Sequence, residues 1–579
     1  MKNKFYTAAI PLALVLITIS GAVLRLTNLG EFDFTVEEDL YAMRAVGYLD
    51  YIYSPTQITP VQAFENQQWW QKFSFHDSPP LSFFIQHIFF KIFGDTIFIA
   101  RLPYALFGTV SIILMFILGS SLYSKKFGLL SAALAAVSNY SVWTSRISLL
   151  ETFVIFFTLL TLISIVKAIK GQEEYLIGVG VFIGLGLLSK YTALVLLPLS
   201  FFIILFSKKE LFKSRRLYGG MLLFFIIISP LIIYNVNYYL TRGHFDAALS
   251  SLVGAQPDDF KGLKRNYEGI PGFAAVYFIF ERSENLFFSL FALMGLFLLM
   301  LNKFLPSKFP KLLVTAVLLY FASTLLVFFG SSAPRFISLV SPAWVLLASA
   351  AIMYLYQIYK YKRIITVLTF IAVCYFFLVA YNSQVLALEP FSTQPILFQK
   401  PLRGLENNYY HLDNWLEDFF YTQKPIIPFK EPPFKMPVPQ LNRLAEKKEM
   451  LVKSRLGNQG LSPEMAFVFY DDRMQYTHVR WIFWRRAFNE LRPILSFQEL
   501  AFVLTASGPD FFEKTGFDSY YFIFTAIDKS EIENHHSVQI MKLLDEAGYK
   551  PYTTIRNLQN RPLFIIYKTN TLSFLFSNG

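Results

Sequence analysis

Apolar runs of about 20 residues recur from the N-terminus to about residue 386, and each is long enough to cross a bilayer core of about 30 Å. Short basic clusters separate them: Lys2/Lys4, Lys125/Lys126, Lys167/Lys170, Lys208 to Arg216, Lys303 to Lys311 and Lys360 to Arg363. With every cluster on the cytoplasmic side, the pattern predicts about eleven spans. They fall at about 5–27, 97–121, 127–144, 149–169, 174–188, 190–207, 217–240, 281–302, 311–329, 336–358 and 364–386. The N-terminus is then cytoplasmic and the C-terminal region extracytoplasmic. The first run, Phe5 to Leu24, is longer than a signal-peptide core and no small-residue cleavage site follows it, so it reads as a retained span. Residues 174–207 are interrupted only by Ser189-Lys190-Tyr191, which predicts a hairpin with Lys190 at its outer tip. Residues 81–93 are too short for a comfortable span; after Pro79-Pro80 they read as an interfacial or re-entrant helix.

Beyond residue 386 the pattern changes. Residues 387–445 are a Pro-rich connector, and residues 446–579 carry short strand-like runs at Ala466–Tyr470, Tyr520–Thr525 and Pro562–Tyr567. Helix-like segments at about 476–491 and 534–548 lie between them, which predicts a small α/β domain. The expected fold is therefore a polytopic α-helical membrane protein of about 11 transmembrane helices with a C-terminal extracytoplasmic α/β domain. Its membrane domain covers 1–386. A long first outer loop (28–96) and a second (about 241–280) are candidates for function.

Composition agrees: only 16% of the 579 residues are charged, against about 25% in soluble domains. The net charge of +12 sits mostly between apolar runs, which argues for membrane orientation and against a nucleic-acid partner. The single cysteine, Cys374, excludes a disulfide framework and a Cys-based zinc site. A P-loop, an HExxH helix and a GxSxG elbow are all absent from the sequence, leaving ATP-driven transport and zinc proteolysis without support.

Sorted by face, the outer span ends collect both acids and bases: Arg25, Glu37, Glu38, Asp39, His76, Asp77, Arg101, Arg146, Glu151, Lys190, Glu281, Arg282, Glu284 and Arg335. Charges at membrane depth are costly and line water-filled cavities or pair with one another, so a polar cavity open to that side is expected. Adjacent carboxylates at Glu37 and Glu38 repel and suit a general base or a metal ligand; a solvated acidic loop explains them as well. Asp77 or Ser78 serves equally as the N-cap of the 81–93 helix. Arg146 and Glu151 flank one turn, where a simple ion pair competes with a site. Lys190 and Arg335 occupy very short outer turns that need no cationic anchor, and two such cations suit the phosphate of an anionic lipid.

These residues carry a family resemblance. Arg25-Leu26-(x2)-Leu29-Gly30 ahead of Glu37-Glu38-(x2)-Tyr41-Ala42 resembles the first outer loop of the family-39 glycosyltransferases, a GT-C group that includes protein O-mannosyltransferases and lipid A aminoarabinose transferases. His76-(x2)-Pro79-Pro80-Leu81, Arg101-Leu102-Pro103-Tyr104-Ala105-Leu106-Phe107-Gly108, Ser145-Arg146-(x4)-Glu151, Ser189-Lys190-Tyr191 and Arg335-Phe336 follow in family order. The similarity covers about residues 20–345. Two departures stand out: Glu37-Glu38 replaces the family's Asp-Glu, and Asp77-Ser78 is inserted ahead of Pro79-Pro80. The resemblance implies transfer of a sugar from a polyprenyl-phosphate donor to an acceptor hydroxyl of a protein, lipid or glycan. Glu37 or Glu38 would be the catalytic base; Lys190, Arg335 and Arg101 would bind the donor phosphate. His76, Asp77, Arg146 and Glu151 would orient the acceptor or ligate a divalent cation, which such chemistry does not oblige. A transporter or flippase of lipid-linked saccharides is the competing reading, weakened by the lack of an internal repeat.

Overall fold

The computed structural model describes residues 2–35, 37–50, 68–254, 284–301, 338, 340–386, 390–392, 409–422, 466–474, 476–490, 492–508, 510–515, 517–526, 535–557 and 560–576. Arg335, Glu281, Arg282, the 311–329 span and most of the Pro-rich connector lie outside these residues. By packing, the chain divides into two units: Met1–Gly30 with Gln68–Gly404, and Glu31–Gln67 with Leu405–Gly579. Part of the first loop thus belongs with the C-terminal region rather than with the membrane helices that flank it.

The membrane unit opens with α1 (Lys2–Leu26); α2 (Glu38–Gly47) belongs to the other unit. Then come α3 (Leu81–Phe93), α4 (Ile97–Leu122), α5 (Lys125–Val137), α6 (Asn139–Arg146), α7 (Glu151–Ile169), α8 (Tyr175–Ser189), α9 (Leu196–Lys208) and α10 (Arg215–Arg242). After α11 (Ala247–Leu252) follow α12 (Leu286–Met300), α13 (Ser341–Ile358) and α14 (Lys362–Ala380). Among the described residues seven helical runs are long and apolar enough to cross a membrane, and α3, α8 and α12 are shorter apolar helices. At about 1.5 Å per residue, the 13 residues of α3 rise only about 20 Å, which fits a helix that does not span.

The single span expected at 127–144 is instead two helices meeting at Ser138. The hydroxyl of Ser138 accepts from the Ser141 backbone N–H at 3.2 Å, capping α6, and donates to the buried Glu284 carboxylate. A polar residue that serves both a new helix start and a buried acid breaks the run, which hydropathy alone cannot register.

Glycines set the closest helix approaches. A Cβ at Gly180 in α8 would lie 2.0 Å from the Gly220 carbonyl of α10, and one at Gly295 in α12 2.0 Å from the Leu347 carbonyl of α13. These contacts are backbone to backbone, so a methyl group can be accommodated only by moving a helix. Gly180→Ala is expected to destabilise by about 1–3 kcal/mol, read as a lower melting temperature in detergent. Gly219→Ala, where a Cβ meets nothing within 4 Å, is the control and leaves melting unchanged or raised.

The second unit contains a five-stranded sheet in the order β2-β1-β3-β5-β4. Its strands are β1 (Ala466–Tyr470), β2 (Ile494–Ser496), β3 (Ser519–Thr525), β4 (Pro551–Arg556) and β5 (Pro562–Thr569). β1 pairs parallel with β2 and β3, while β5 runs antiparallel to β3 and β4. Every residue of β1 and β3 is buried, as expected for central strands covered on both faces. On one face Phe467, Phe469, Phe522 and Phe524 pack with Phe497, Leu500 and Leu544. On the other, Tyr470 stacks on Phe483 at 4.2 Å and Tyr521 meets Phe419 edge-on at 4.7 Å. Trp481, Tyr520 and Tyr521 are each 1% exposed, so these aromatics belong to the core. Asp413 anchors a buried ionic cluster, accepting from Arg486 at 2.6 Å and from the Trp481 indole at 3.1 Å.

Candidate active site

In the membrane unit, three arginines collect where α1 ends. The last carbonyls of a helix have no partner within it and favour a cation. Arg25 donates to the carbonyls of Gly21 and Ala136, each at 3.0 Å, and of Ala135 at 3.2 Å. Arg146, at the end of α6, donates to Leu24 at 2.8 Å, Thr27 at 2.7 Å and Asn28 at 3.3 Å. Arg101 on α4 donates to the Leu29 carbonyl at 3.0 Å. All three are buried. These bonds pin the chain as it leaves α1.

Lys190 has a different setting. It follows α8 in extended backbone, with φ −163° and ψ 140°, which swings its side chain out of the helical path. Its ammonium pairs with Oε1 of Glu151, the first residue of α7, where the helix dipole favours a carboxylate. Glu151 is 1% exposed, whereas the Lys190 side chain is 17% exposed. The Arg146–Glu151 pairing considered from the sequence is thus replaced: Glu151 takes Lys190, and Arg146 takes backbone carbonyls. The other Glu151 oxygen is buried without a hydrogen-bond partner among the described protein groups.

The His76-Asp77-Ser78 segment is a tight turn. Phe75 N–H donates to the Ser78 carbonyl at 3.2 Å, and the buried His76 accepts through its own carbonyl from Ala247 N–H at 2.7 Å. The expected cap by Asp77 or Ser78 is not there: Pro80 is the N-cap of α3, with no side-chain cap bond. Asp77 side chain lies 3.9 Å from the His76 ring and is 30% exposed.

Behind this turn sits a network that the sequence did not disclose. Asp246, wholly buried, accepts from the Tyr191 hydroxyl, from Asn235 at 3.0 Å and from Leu249 N–H at 2.8 Å. Burial, with Asp77 nearby adding to it, raises the Asp246 pKa despite these donors. The only sequence signal was local: an Asp three residues before Leu249, the spacing of a helix cap for α11.

In the second unit, the acidic segment resolves into three carboxylates with distinct settings. Glu37 is the N-cap of α2 and is partly exposed. Glu38 is fully buried and its Oε2 accepts from the Thr35 N–H at 2.9 Å and the Thr35 hydroxyl at 3.1 Å, holding the turn into the helix. Asp39 is buried against Arg480, and burial outweighs that cation, pushing its pKa up to about 6. Because the folded state keeps this proton above the unfolded value, the group's contribution to stability is full below about pH 4 and is lost as pH rises through about 6. Melting curves across pH 4–7 should show this slope, and Asp39→Asn should flatten it.

Among the described residues, no group of three or more His, Cys, Asp or Glu side chains is disposed to hold a metal ion.

Residues 77–234, a little over a quarter of the chain, match the sequence profile of the dolichyl-phosphate-mannose-protein mannosyltransferase family. The match agrees with the resemblance read from the motifs and encloses Asp77, Arg101, Arg146, Glu151 and Lys190. No curated protein sequence matches the chain. Among solved structures, Cupriavidus metallidurans ArnT bound to undecaprenyl phosphate superposes with a TM-score of 0.48 at 13% identity, covering 99% of each chain. Archaeoglobus fulgidus AglB, in complex with an inhibitory peptide and a dolichol-phosphate, gives 0.48 at 12% identity, over 98% of this chain and 75% of that one. The Saccharomyces cerevisiae Pmt1-Pmt2 complex bound to the sugar donor gives 0.30 at 18% identity, over 41% and 34%.

Proposed function

We propose that the chain, which matches the mannosyltransferase profile over residues 77–234, is a membrane glycosyltransferase that moves a sugar from a polyprenyl-phosphate donor to an acceptor hydroxyl. The observation that carries this reading is that the matched segment contains the partly exposed Lys190 ammonium on its buried carboxylate partner, Glu151. A cation so held is preorganised for the phosphate that leaves.

The step balances without a further reactant. Glu37 accepts the acceptor's hydroxyl proton, and the acceptor oxygen forms a bond to the anomeric carbon. The bond from that carbon to the phosphate oxygen breaks, and the phosphate leaves with the electron pair. Attack opposite the leaving group inverts the anomeric centre. Glu37 is the better base of the adjacent pair because Glu38 is buried and holds Thr35. Lys190 neutralises charge on the departing phosphate, with Arg335 as a second cation. A divalent ion is not required for that charge balance. Protein, lipid and glycan hydroxyls are all chemically competent acceptors. The positive-inside pattern supports a cytoplasmic N-terminus and transfer at the opposite face.

The test is to incubate purified protein with polyprenyl-phosphate sugars and candidate acceptors, and to identify products by mass spectrometry. Release of lipid phosphate matched by a new glycoside is expected. Movement of the lipid across liposomes with no glycosidic bond formed would replace this reading with a flippase.

A further inference from the structure

A groove of about 980 Å³ runs along the flank of the membrane unit between α1, α5, α13 and α14. Its wall is apolar for most of its length, with Leu16 and Ile17 of α1, Leu129 and Ala133 of α5, and Phe370 and Phe377 of α14. It contains none of the residues assigned to sugar transfer.

Two features limit what can fill it. The first is length. On α5 the lining extends from Lys126 to Val137, and on α14 from Ile365 to Leu378. At the helical rise these are about 17 and 20 Å, little more than one leaflet of a hydrocarbon core about 30 Å thick. A glycerophospholipid's acyl chains match that depth, whereas a long polyprenyl tail exceeds it.

The second is charge, and it sits at one end. Tyr356 lines the groove there, and the Lys126 and Lys362 ammonium groups each lie 5.7 Å from its ring centroid. Neither lysine is paired with a carboxylate among the described residues; Lys125 adjoins Lys126 in sequence, and Lys360 and Arg363 lie beside Lys362. Interfacial lysines ordinarily extend into water. Here two like charges bend over one ring at the mouth of an apolar channel. Basic pockets between membrane helices are sites for anionic headgroups.

We propose that this groove is a binding site for one anionic glycerophospholipid. Its phosphate lies between Lys126 and Lys362, and its acyl chains fill the space between α1, α5 and α14.

The test is native mass spectrometry of the full-length, delipidated protein with phosphatidylglycerol, phosphatidylcholine and undecaprenyl phosphate offered separately and in competition. Preferential retention of phosphatidylglycerol is expected. Both lysines are exposed, so the double variant Lys126→Gln/Lys362→Gln should fold normally and lose roughly 30-fold in phosphatidylglycerol affinity, at the cost per lysine expected of a surface charge near an anionic lipid. Its retention of phosphatidylcholine should not change. Ala133→Phe, which fills the groove, should lower retention of both phospholipids. Equal retention of the zwitterionic lipid, displacement of phosphatidylglycerol by undecaprenyl phosphate, or unaltered binding by the double variant would each overturn the assignment.

Discussion

Glu37→Gln is expected to lower the rate of sugar transfer by about 10²–10⁴-fold, the usual contribution of a positioned general base. The substitution keeps the shape of the side chain and removes its ability to take a proton. Glu37 is partly exposed at the N-cap of α2 and the substitution is isosteric, so melting should change less than transfer. Glu38→Gln supplies the contrast. Glu38 is buried and its carboxylate holds both the backbone and the hydroxyl of Thr35. Weakening those charge-assisted bonds should cost about 1–3 kcal/mol, seen as a lower melting temperature with activity recovered on cooling. Near-normal transfer by Glu37→Gln would remove Glu37 as the base.

The second large effect concerns Lys190. Lys190→Met leaves Glu151 buried with its ion-pair partner gone, and breaking such a pair from one side costs about 3–5 kcal/mol. Loss of activity in that variant alone therefore says little. The double variant Lys190→Met/Glu151→Gln removes the orphaned charge and should recover most of the stability. Transfer and binding of the polyprenyl-phosphate donor should stay low, because the cation for the phosphate is still missing. Recovery of transfer with stability would make Lys190 a partner of Glu151 and nothing more.

The membrane helices were legible because a span is a composition effect: about 20 apolar residues in a row need no knowledge of neighbours. The break at Ser138 was not, since it depends on Glu284, which lies 146 residues away. In the second unit, β1 is read at its observed ends and β3 within one residue, because their runs are fully buried. β4 escaped notice because most of it is exposed or half-exposed and it lacks an apolar face; β2 is only three residues long. The Ser496–Glu499 capping box did mark a helix start, Phe497–Ser507, that periodicity had passed over.

For the candidate site, sequence order singles out charged residues but not what each one touches. Arg101 donates to the Leu29 carbonyl just past α1, and Arg146 to the carbonyls of Leu24, Thr27 and Asn28, bonds that residue type and order do not announce. Glu37 and Glu38 are identical in type and differ in burial and in whether Thr35 turns back to meet the carboxylate. Such distinctions arise from backbone path, which one-dimensional spacing does not carry.

The grouping of Glu31–Gln67 with Leu405–Gly579 has a consequence for biosynthesis. Asp39 and its ion-pair partner Arg480 are separated by 441 positions in the chain. At a synthesis rate of about 5–20 residues per second, the segment that carries Glu37 waits roughly 20–90 s for the residues it packs with. During that interval its buried acids, Glu38 and Asp39, have only local partners and water. A nascent chain released before Arg480 therefore carries the membrane helices without a finished acidic segment, and cell quality control would meet it as an incomplete protein.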